Sequence, residues 1–208
     1  MEDALRAGAG DPGLTLIETL GWTGTAFPRL GLHMQRLHGS AARLGWGCDV
    51  AAVEAALRAA VGVVPVRVRM TLDMRGRVEV TVAPIPPVKP VWAVGLAPVR
   101  LALGDPWLGV KSSRRAVYDA ARAAMPDGLD EVVLVNERGE VCDGSITTLF
   151  YDRGQGMRTP PLSSGLLPGV LRAEMAVPEE VLAVGDLPLV RLWVGNSLRG
   201  LMAARWVG

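Results

Sequence analysis

Lysine, cysteine and excess charge of either sign are all scarce in this chain of 208 residues. Acidic and basic residues are interspersed and the formal net charge is only +1, so no broad basic face for DNA or RNA is expected. The two cysteines, Cys48 and Cys142, indicate neither a disulfide framework nor a zinc site. No apolar run approaches membrane-spanning length and residues 1–13 lack the core of a signal peptide, so we expect a soluble cytoplasmic protein.

The shortage of lysine draws attention to the lysines that remain. Of the 22 basic residues, only Lys89 and Lys111 are lysines. Arginine stays protonated, whereas a lysine amine can lose its proton and attack a carbonyl group. Lys111 ends an extended segment just before a predicted helix, whose dipole, with Arg114 and Arg115, would disfavour the ammonium form. Lys111 is therefore a candidate for carbonyl chemistry, with chance retention in an arginine-rich chain as the alternative.

The hydrophobic pattern predicts an α+β fold with two lobes. Residues 84–90 (PIPPVKP) can neither pair as a central strand nor continue a helix, and we predict a linker there. A small α/β lobe over 1–88 would precede a larger lobe over 89–208 that carries Lys111. The predicted strands are 14–20, 64–73, 77–84, 91–103, 130–136, 147–152 and 190–194; the predicted helices are 30–44, 50–60, 112–125 capped by Ser112 or Ser113, and a short one after Gly169.

Three other features could bind an anion or supply an acid. The amides of Val170 and Leu171 open a helix after a Pro-Gly turn, so they have no intrahelical acceptor. Arg36 could add a forked, charged contact. Asp143 lies before Gly144 and offers a carboxylate. The alternatives are an ordinary helix start, a surface salt bridge and a common turn aspartate.

Six blocks, in this order, resemble the class IV aminotransferase family of pyridoxal 5'-phosphate (PLP) enzymes, which includes aminodeoxychorismate lyases and branched-chain aminotransferases. They are residues 17–20 (IETL), 32–41 (LHMQRLHGSA), the segment around Lys111, 139–150 (GEVCDGSITTLF), 159–172 (TPPLSSGLLPGVLR) and 196–201 (NSLRGL). The resemblance implies the two-lobed fold-type IV architecture of D-amino acid aminotransferase, shortened at the N-terminus. It also implies PLP as cofactor, a small amino substrate and a homodimer, with no metal, nucleic acid or membrane.

The resemblance also implies roles for individual residues. Lys111 would bind the cofactor covalently and Asp143 would face its pyridine nitrogen. The phosphate would contact Arg36, the Val170 and Leu171 amides and Ser197; Arg115 would lie near the ring hydroxyl; Thr19 and Arg199 would contact substrate. The chain departs from the family where Asp143 replaces a glutamate and Thr148 replaces an asparagine.

Two reactions and one non-catalytic role are compatible with these blocks. Residues 95–115 and 196–200 are closer to the lyases, which favours 4-amino-4-deoxychorismate lyase, forming 4-aminobenzoate and pyruvate. The alternatives are a branched-chain or D-amino acid transaminase and a non-catalytic PLP-binding homologue. Arg199, Arg69 or Arg67 could recognise a substrate carboxylate, although alternating arginines on a strand are also typical of a solvated face.

Overall fold

The computed structural model describes residues 2–208, with the side chain of residue 2 left out, and the chain divides into two compact units. The first contains the chain up to Pro87 together with Val110–Arg114; the second contains Val88–Gly109 and Arg115–Gly208. The first change of unit falls inside the predicted linker. Lys111, however, belongs to the first unit and not to the larger one as predicted.

The first unit is built on a three-stranded antiparallel sheet in the order β1-β2-β3. Its elements are α1 (Glu2–Gly8), β1 (Thr15–Trp22), α2 (Leu30–Leu44), α3 (Val50–Ala59), β2 (Val66–Asp73) and β3 (Val78–Ala83). Helix α2 packs on β1 through an apolar face that includes Met34, Leu37 and Ala41. The hairpin between β2 and β3 turns at Gly76, whose φ of 78° suits a residue without a Cβ.

The segment around Lys111 joins this unit because it pairs with β1. Ile17 N donates to Lys111 O at 2.8 Å, and Ser113 N donates to Thr15 O at 2.8 Å. The predicted cap is wrong for the same reason: Ser113 Oγ accepts from Thr15 N at 3.0 Å instead of capping a helix. The helix begins only at Ala116, and its N-cap residue makes no side-chain cap hydrogen bond.

The second unit is built on a six-stranded mixed sheet in the order β6-β5-β4-β9-β8-β7. Its elements are β4 (Val91–Leu101), α4 (Ala116–Ala123), β5 (Glu131–Asn136), β6 (Val141–Gly144), β7 (Thr148–Asp152), α5 (Val170–Met175), β8 (Arg191–Asn196), β9 (Gly200–Trp206) and short 3-10 helices at Pro106–Gly109, Leu162–Ser164 and Val184–Leu189. Strand β4 is parallel to both of its neighbours, β5 and β9. The other pairs are antiparallel.

Strand β5 is buried along its whole length because both of its faces are covered. Val133 and Val135 belong to one apolar cluster, while Val132 and Leu134 belong to another. A strand covered on both faces is expected to be continuously apolar rather than alternating, which explains the run VVLV. Apolar clusters on both faces therefore hold β5, the neighbour of strand β6, in place.

The α+β class is confirmed, and helix α2 has the predicted bounds of 30–44. The helix predicted over 112–125 is shorter, and α1, β6 and β9 were not predicted. Within residues 2–208, no helix is both long and apolar enough to cross a membrane.

Candidate functional site

A buried carboxylate on β1 holds two side chains of α2. Glu18 is 1% exposed. Arg36 donates to it through both arms of its fork, Nε to Oε1 at 2.9 Å and Nη2 to Oε2 at 2.6 Å. His33 Nδ1 lies 2.6 Å from the same Oε2. Because residues 33 and 36 are three apart, one face of α2 presents both side chains to the strand.

The electrostatics of this cluster favour an ionised Glu18. Burial by itself would raise the pKa of Glu18, but the charge of Arg36 and the hydrogen bonds from His33 and Arg36 outweigh it and lower the pKa to about 2. Glu18 was not predicted as a site residue. The signal was present, since it lies in the IETL block and residues 33 and 36 follow at helical spacing.

Lys111 is placed relative to β1 by the pairing of the two segments. Ser112, which is buried, lies directly opposite Leu16. Side chains alternate between the faces of a sheet, so Lys111 falls on the other face, with Ile17 and Thr19. This is the face of β1 opposite to the one that carries Glu18.

The strand next to β1 adds two arginines to the Lys111 face. Thr19 pairs with Arg69, and Gly21 pairs with Arg67. Directly paired residues of an antiparallel sheet share a face, so Arg67 and Arg69 lie on the same side of the sheet as Thr19 and Lys111. Both arginines are exposed. The first unit therefore brings a lysine, a threonine and two arginines to one sheet face.

In the second unit, Asp143 lies on the edge strand β6, opposite Leu134, and is 5% exposed. The charge of Asp143 affects the pKa of two neighbouring side chains, Tyr118 and Cys142. Burial first and Asp143 second raise the pKa of Tyr118, and the same two causes raise the pKa of Cys142 to about 12. The Tyr118 hydroxyl is buried and has no hydrogen-bond partner among residues 2–208.

Arg115 lies close to the same groups. Its guanidinium donates to Asp119 at 2.7 Å and to the backbone oxygen of Ser145 at 3.2 Å. It also lies 5.8 Å from the ring centroid of Tyr118. Arg115 is thus attached to the turn that follows Asp143.

The predicted helix start at Val170 is confirmed. Gly169 is the N-cap residue, and the first intrahelical bond runs from Ala173 N to Gly169 O at 3.0 Å. Val170 and Leu171 are 4% and 3% exposed. A Cβ on Gly169 would lie 2.5 Å from Thr148 Oγ1. Thr148, which replaces the family's asparagine, therefore lies against this helix start.

Ser197 and Arg199 lie in the tight turn between β8 and β9. Asn196 Oδ1 shapes the turn by accepting from Leu198 N at 3.1 Å and from Arg199 N at 3.0 Å. The Arg199 guanidinium lies 5.4 Å from the ring centroid of Trp92. The side chain of Arg199 is therefore directed back towards strand β4 of the same sheet.

The predicted site residues fall into two groups. The first unit holds Thr19, Arg36 and Lys111; the second holds Arg115, Asp143, Val170, Leu171, Ser197 and Arg199. Among residues 2–208, no group of three or more His, Cys, Asp or Glu side chains could hold a metal ion.

The model for the amino-transferase class IV family matches residues 15–207. The chain belongs to this family. Members of the class IV aminotransferases use PLP. A provisionally assigned amino-acid aminotransferase from Mesorhizobium loti is 42% identical, with a TM-score of 0.89, over 93% of this chain and 100% of that one.

Two more distant class IV structures share the fold. The 4-amino-4-deoxychorismate lyase from Pseudomonas aeruginosa is 22% identical, with a TM-score of 0.81, over 92% of this chain and 82% of that one. The branched-chain aminotransferase from Thermoproteus uzoniensis is 19% identical, with a TM-score of 0.78, over 99% of this chain and 82% of that one. A comparison with curated proteins gave no match. The resemblance inferred from the six sequence blocks is confirmed, together with the fold-type IV architecture.

Proposed function

We propose that this class IV aminotransferase is a PLP-dependent enzyme in which Lys111 binds the cofactor covalently and removes the substrate proton. We further propose that it acts on an amino substrate with two carboxylates, and that its reaction is that of a 4-amino-4-deoxychorismate lyase. The observation that carries the proposal is the shared sheet face of Lys111, Arg67 and Arg69. Arginines two apart on a strand project to the same side about 7 Å from each other, a spacing suited to forked contacts with two acids.

The chemistry of the residues present fits PLP. The cofactor needs an amine, an acid for its ring nitrogen and donors for its phosphate, and it supplies an electron sink when bound. Lys111 offers the amine and buried Asp143 the acid. The phosphate would contact Ser197 and the amides of Val170 and Leu171. Arg36, the further phosphate contact that the family resemblance implies, is bonded here to Glu18 on the face of β1 opposite to Lys111. Arg115 and the buried Tyr118 hydroxyl are donors near Asp143.

The proposed reaction needs only proton transfers and one bond cleavage. Lys111, as free amine, takes the proton from the ring carbon that bears the substrate amine. The carbon–oxygen bond to the enolpyruvyl group then breaks, with its electron pair leaving on the oxygen. The enolpyruvate released takes up a proton to become pyruvate, and the ring becomes the aromatic ring of 4-aminobenzoate. Arg67 and Arg69 would hold the substrate carboxylates, with Thr19 beside them.

An amino-acid transaminase is the second candidate. It is favoured by the 42% identity to the Mesorhizobium loti protein. The first proton removal by Lys111 would be the same, but a keto acid would be released and the amine returned to a second keto acid. The two reactions differ in products, because only the lyase forms pyruvate from aminodeoxychorismate without an amine acceptor.

The test compares wild type with Lys111→Ala, and Lys89→Ala is the matched control. Lys89 is the other lysine of the chain and its Nζ is bonded to Asp130 at 2.7 Å and 2.9 Å. We expect borohydride to attach PLP permanently to wild type and to Lys89→Ala but not to Lys111→Ala, with pyruvate release following the same pattern. Folded wild type without attachment would refute the proposal; attachment without any turnover would support a non-catalytic PLP-binding homologue instead. The homodimer and the cytoplasmic location stay predictions, the former checked by sedimentation.

A further inference from the structure

We infer that Glu131 is a positioning residue for Asp143, a role that rests on the proposed function of Asp143 as the acid facing the PLP ring nitrogen. Glu131 is the first residue of β5 and is 0% exposed. Residues 144–147, here called the 144–147 loop, directly follow Asp143. This loop surrounds the carboxylate of Glu131. A carboxylate is suited to this position because it accepts hydrogen bonds at both oxygens.

Both oxygens of Glu131 are engaged. Oε1 accepts from Val132 N at 3.0 Å, Ser145 N at 3.0 Å and Ser145 Oγ at 2.5 Å. Oε2 accepts from Ile146 N at 3.2 Å and Thr147 Oγ1 at 2.8 Å. Four of these five donors belong to the 144–147 loop. Arg122 Nη1 also donates to Ser145 Oγ at 3.0 Å and lies 3.7 Å from Glu131 Oε1, so Glu131 is the centre of the contacts that hold the backbone just after Asp143.

Gly144 shows how tightly the loop closes on Glu131. A Cβ at this position would lie 2.9 Å from Glu131 Oε2 and 2.4 Å from Thr147 Oγ1, closer than real Cβ contacts. Gly144 N also donates to Thr147 O at 2.7 Å. There is therefore no room for a side chain between the buried carboxylate and residue 144, which a single peptide unit joins to Asp143.

The loop also connects to other predicted site residues. Arg115 Nη2 donates to Ser145 O at 3.2 Å. Asn196 Nδ2 donates to Ile146 O at 3.2 Å, and Asn196 shapes the turn that carries Ser197. A loop displaced from Glu131 would therefore disturb Arg115, Asp143 and the Ser197 turn together.

A purely structural role predicts something different, and Asp152 provides the matched control. Asp152 is also a buried carboxylate of this unit, and its Oδ1 accepts from the backbone N–H groups of Gly154, Gln155 and Gly156. It lies at the other end of β7 from the 144–147 loop, and its second oxygen accepts from Arg191. If Glu131 only stabilises the fold, Glu131→Gln and Asp152→Asn should both lower the stability of the protein, and both should bind PLP with the wild-type affinity.

The experiment measures PLP affinity by titrating cofactor-free protein and following tryptophan fluorescence and visible absorption. The amide of Glu131→Gln turns an N–H group towards loop donors, and the loss of charged hydrogen bonds should weaken PLP binding about tenfold or more. The pH at which the absorption of bound PLP changes should also move. Asp152→Asn should keep the wild-type affinity and pH profile, even where it unfolds more easily.

Thr147→Val is the second variant, for use if Glu131→Gln does not fold. It keeps the side-chain shape, removes one hydrogen bond to Glu131 Oε2, and should weaken PLP binding by a smaller factor with the same shift in the pH profile. The inference is overturned if folded Glu131→Gln, or Thr147→Val in its place, has the wild-type affinity and pH profile. Wild type that fails to bind PLP would instead refute the proposed function.

Discussion

Acid should destabilise this protein through Glu18, and the size of the effect follows from its surroundings. The pKa of Glu18 is lowered from 4.5 to about 2 in the folded chain because the Arg36 charge and the His33 and Arg36 hydrogen bonds outweigh burial. A lowered pKa stabilises the folded state fully above the unfolded value, and this contribution is lost as the pH falls towards the folded value. The difference corresponds to roughly 3 kcal/mol, of which about 2 kcal/mol should be gone by pH 3.

Glu18→Gln isolates this contribution. At pH 7 the variant should lose about 3 kcal/mol in the free energy of unfolding, because Arg36 remains at the buried site without its charged partner. Between pH 6 and pH 2.5, however, its stability should fall less steeply than that of wild type. Urea unfolding followed by tryptophan fluorescence at a series of pH values measures both quantities, and the other carboxylates cancel in the comparison.

Glu54→Gln is the matched control. Glu54 also pairs with an arginine, Arg58, but the pair is 3.6 Å apart and its side chains are 35% and 58% exposed. Exposed pairs of this kind contribute about 0.3–0.5 kcal/mol, so this variant should follow wild type at every pH. Parallel curves for Glu18→Gln and wild type would refute the argument that Glu18 carries the acid sensitivity.

Three further changes should have distinct effects. Gly144→Ala should destabilise the chain by about 1–3 kcal/mol in urea unfolding, because its Cβ would overlap Thr147 and Glu131; an unchanged midpoint would show that the loop can yield. Tyr118→Phe should be neutral or stabilising by up to about 1 kcal/mol without PLP, because it removes a buried hydroxyl that has no partner within residues 2–208; a clear loss would indicate a partner. Asp143→Asn should alter the visible spectrum of bound PLP while Asp143→Glu retains it, and identical spectra for all three proteins would exclude Asp143 as the ring-nitrogen partner.

Local pattern was sufficient for much of the fold. Helix α2 could be predicted to the residue because its apolar spacing is regular and Gly45, with a φ of 73°, ends it. The serine pair at 112 and 113 misled the prediction because capping is a local rule, whereas these residues pair with a strand nearly a hundred positions away. Short strands such as β6, with only four residues, carry too little periodicity to be recognised.

The candidate site could be predicted only at residues that lie in the six sequence blocks resembling the family. Lys111, Asp143 and the helix start at Val170 stood out by type and position. Glu131 did not, because its importance arises from four donors in a loop that begins thirteen residues later and closes over it in three dimensions. Glu18 was missed although it lies in the IETL block, because the pattern of one strand does not show that an arginine from α2 will bind its carboxylate through two nitrogens.

Because residues 110–114 belong to the first unit, proteolysis of the linker should not separate the two parts of the chain. The exposed, proline-rich connection at 84–90 is an obvious place for a protease to nick, and it would leave fragments ending and beginning near Pro87 and Val88. The second fragment would still contain Lys111 and Ser113, which are hydrogen-bonded to β1 of the first. The nicked halves should therefore copurify, and a separately produced N-terminal half would lack the edge segment that covers its first strand.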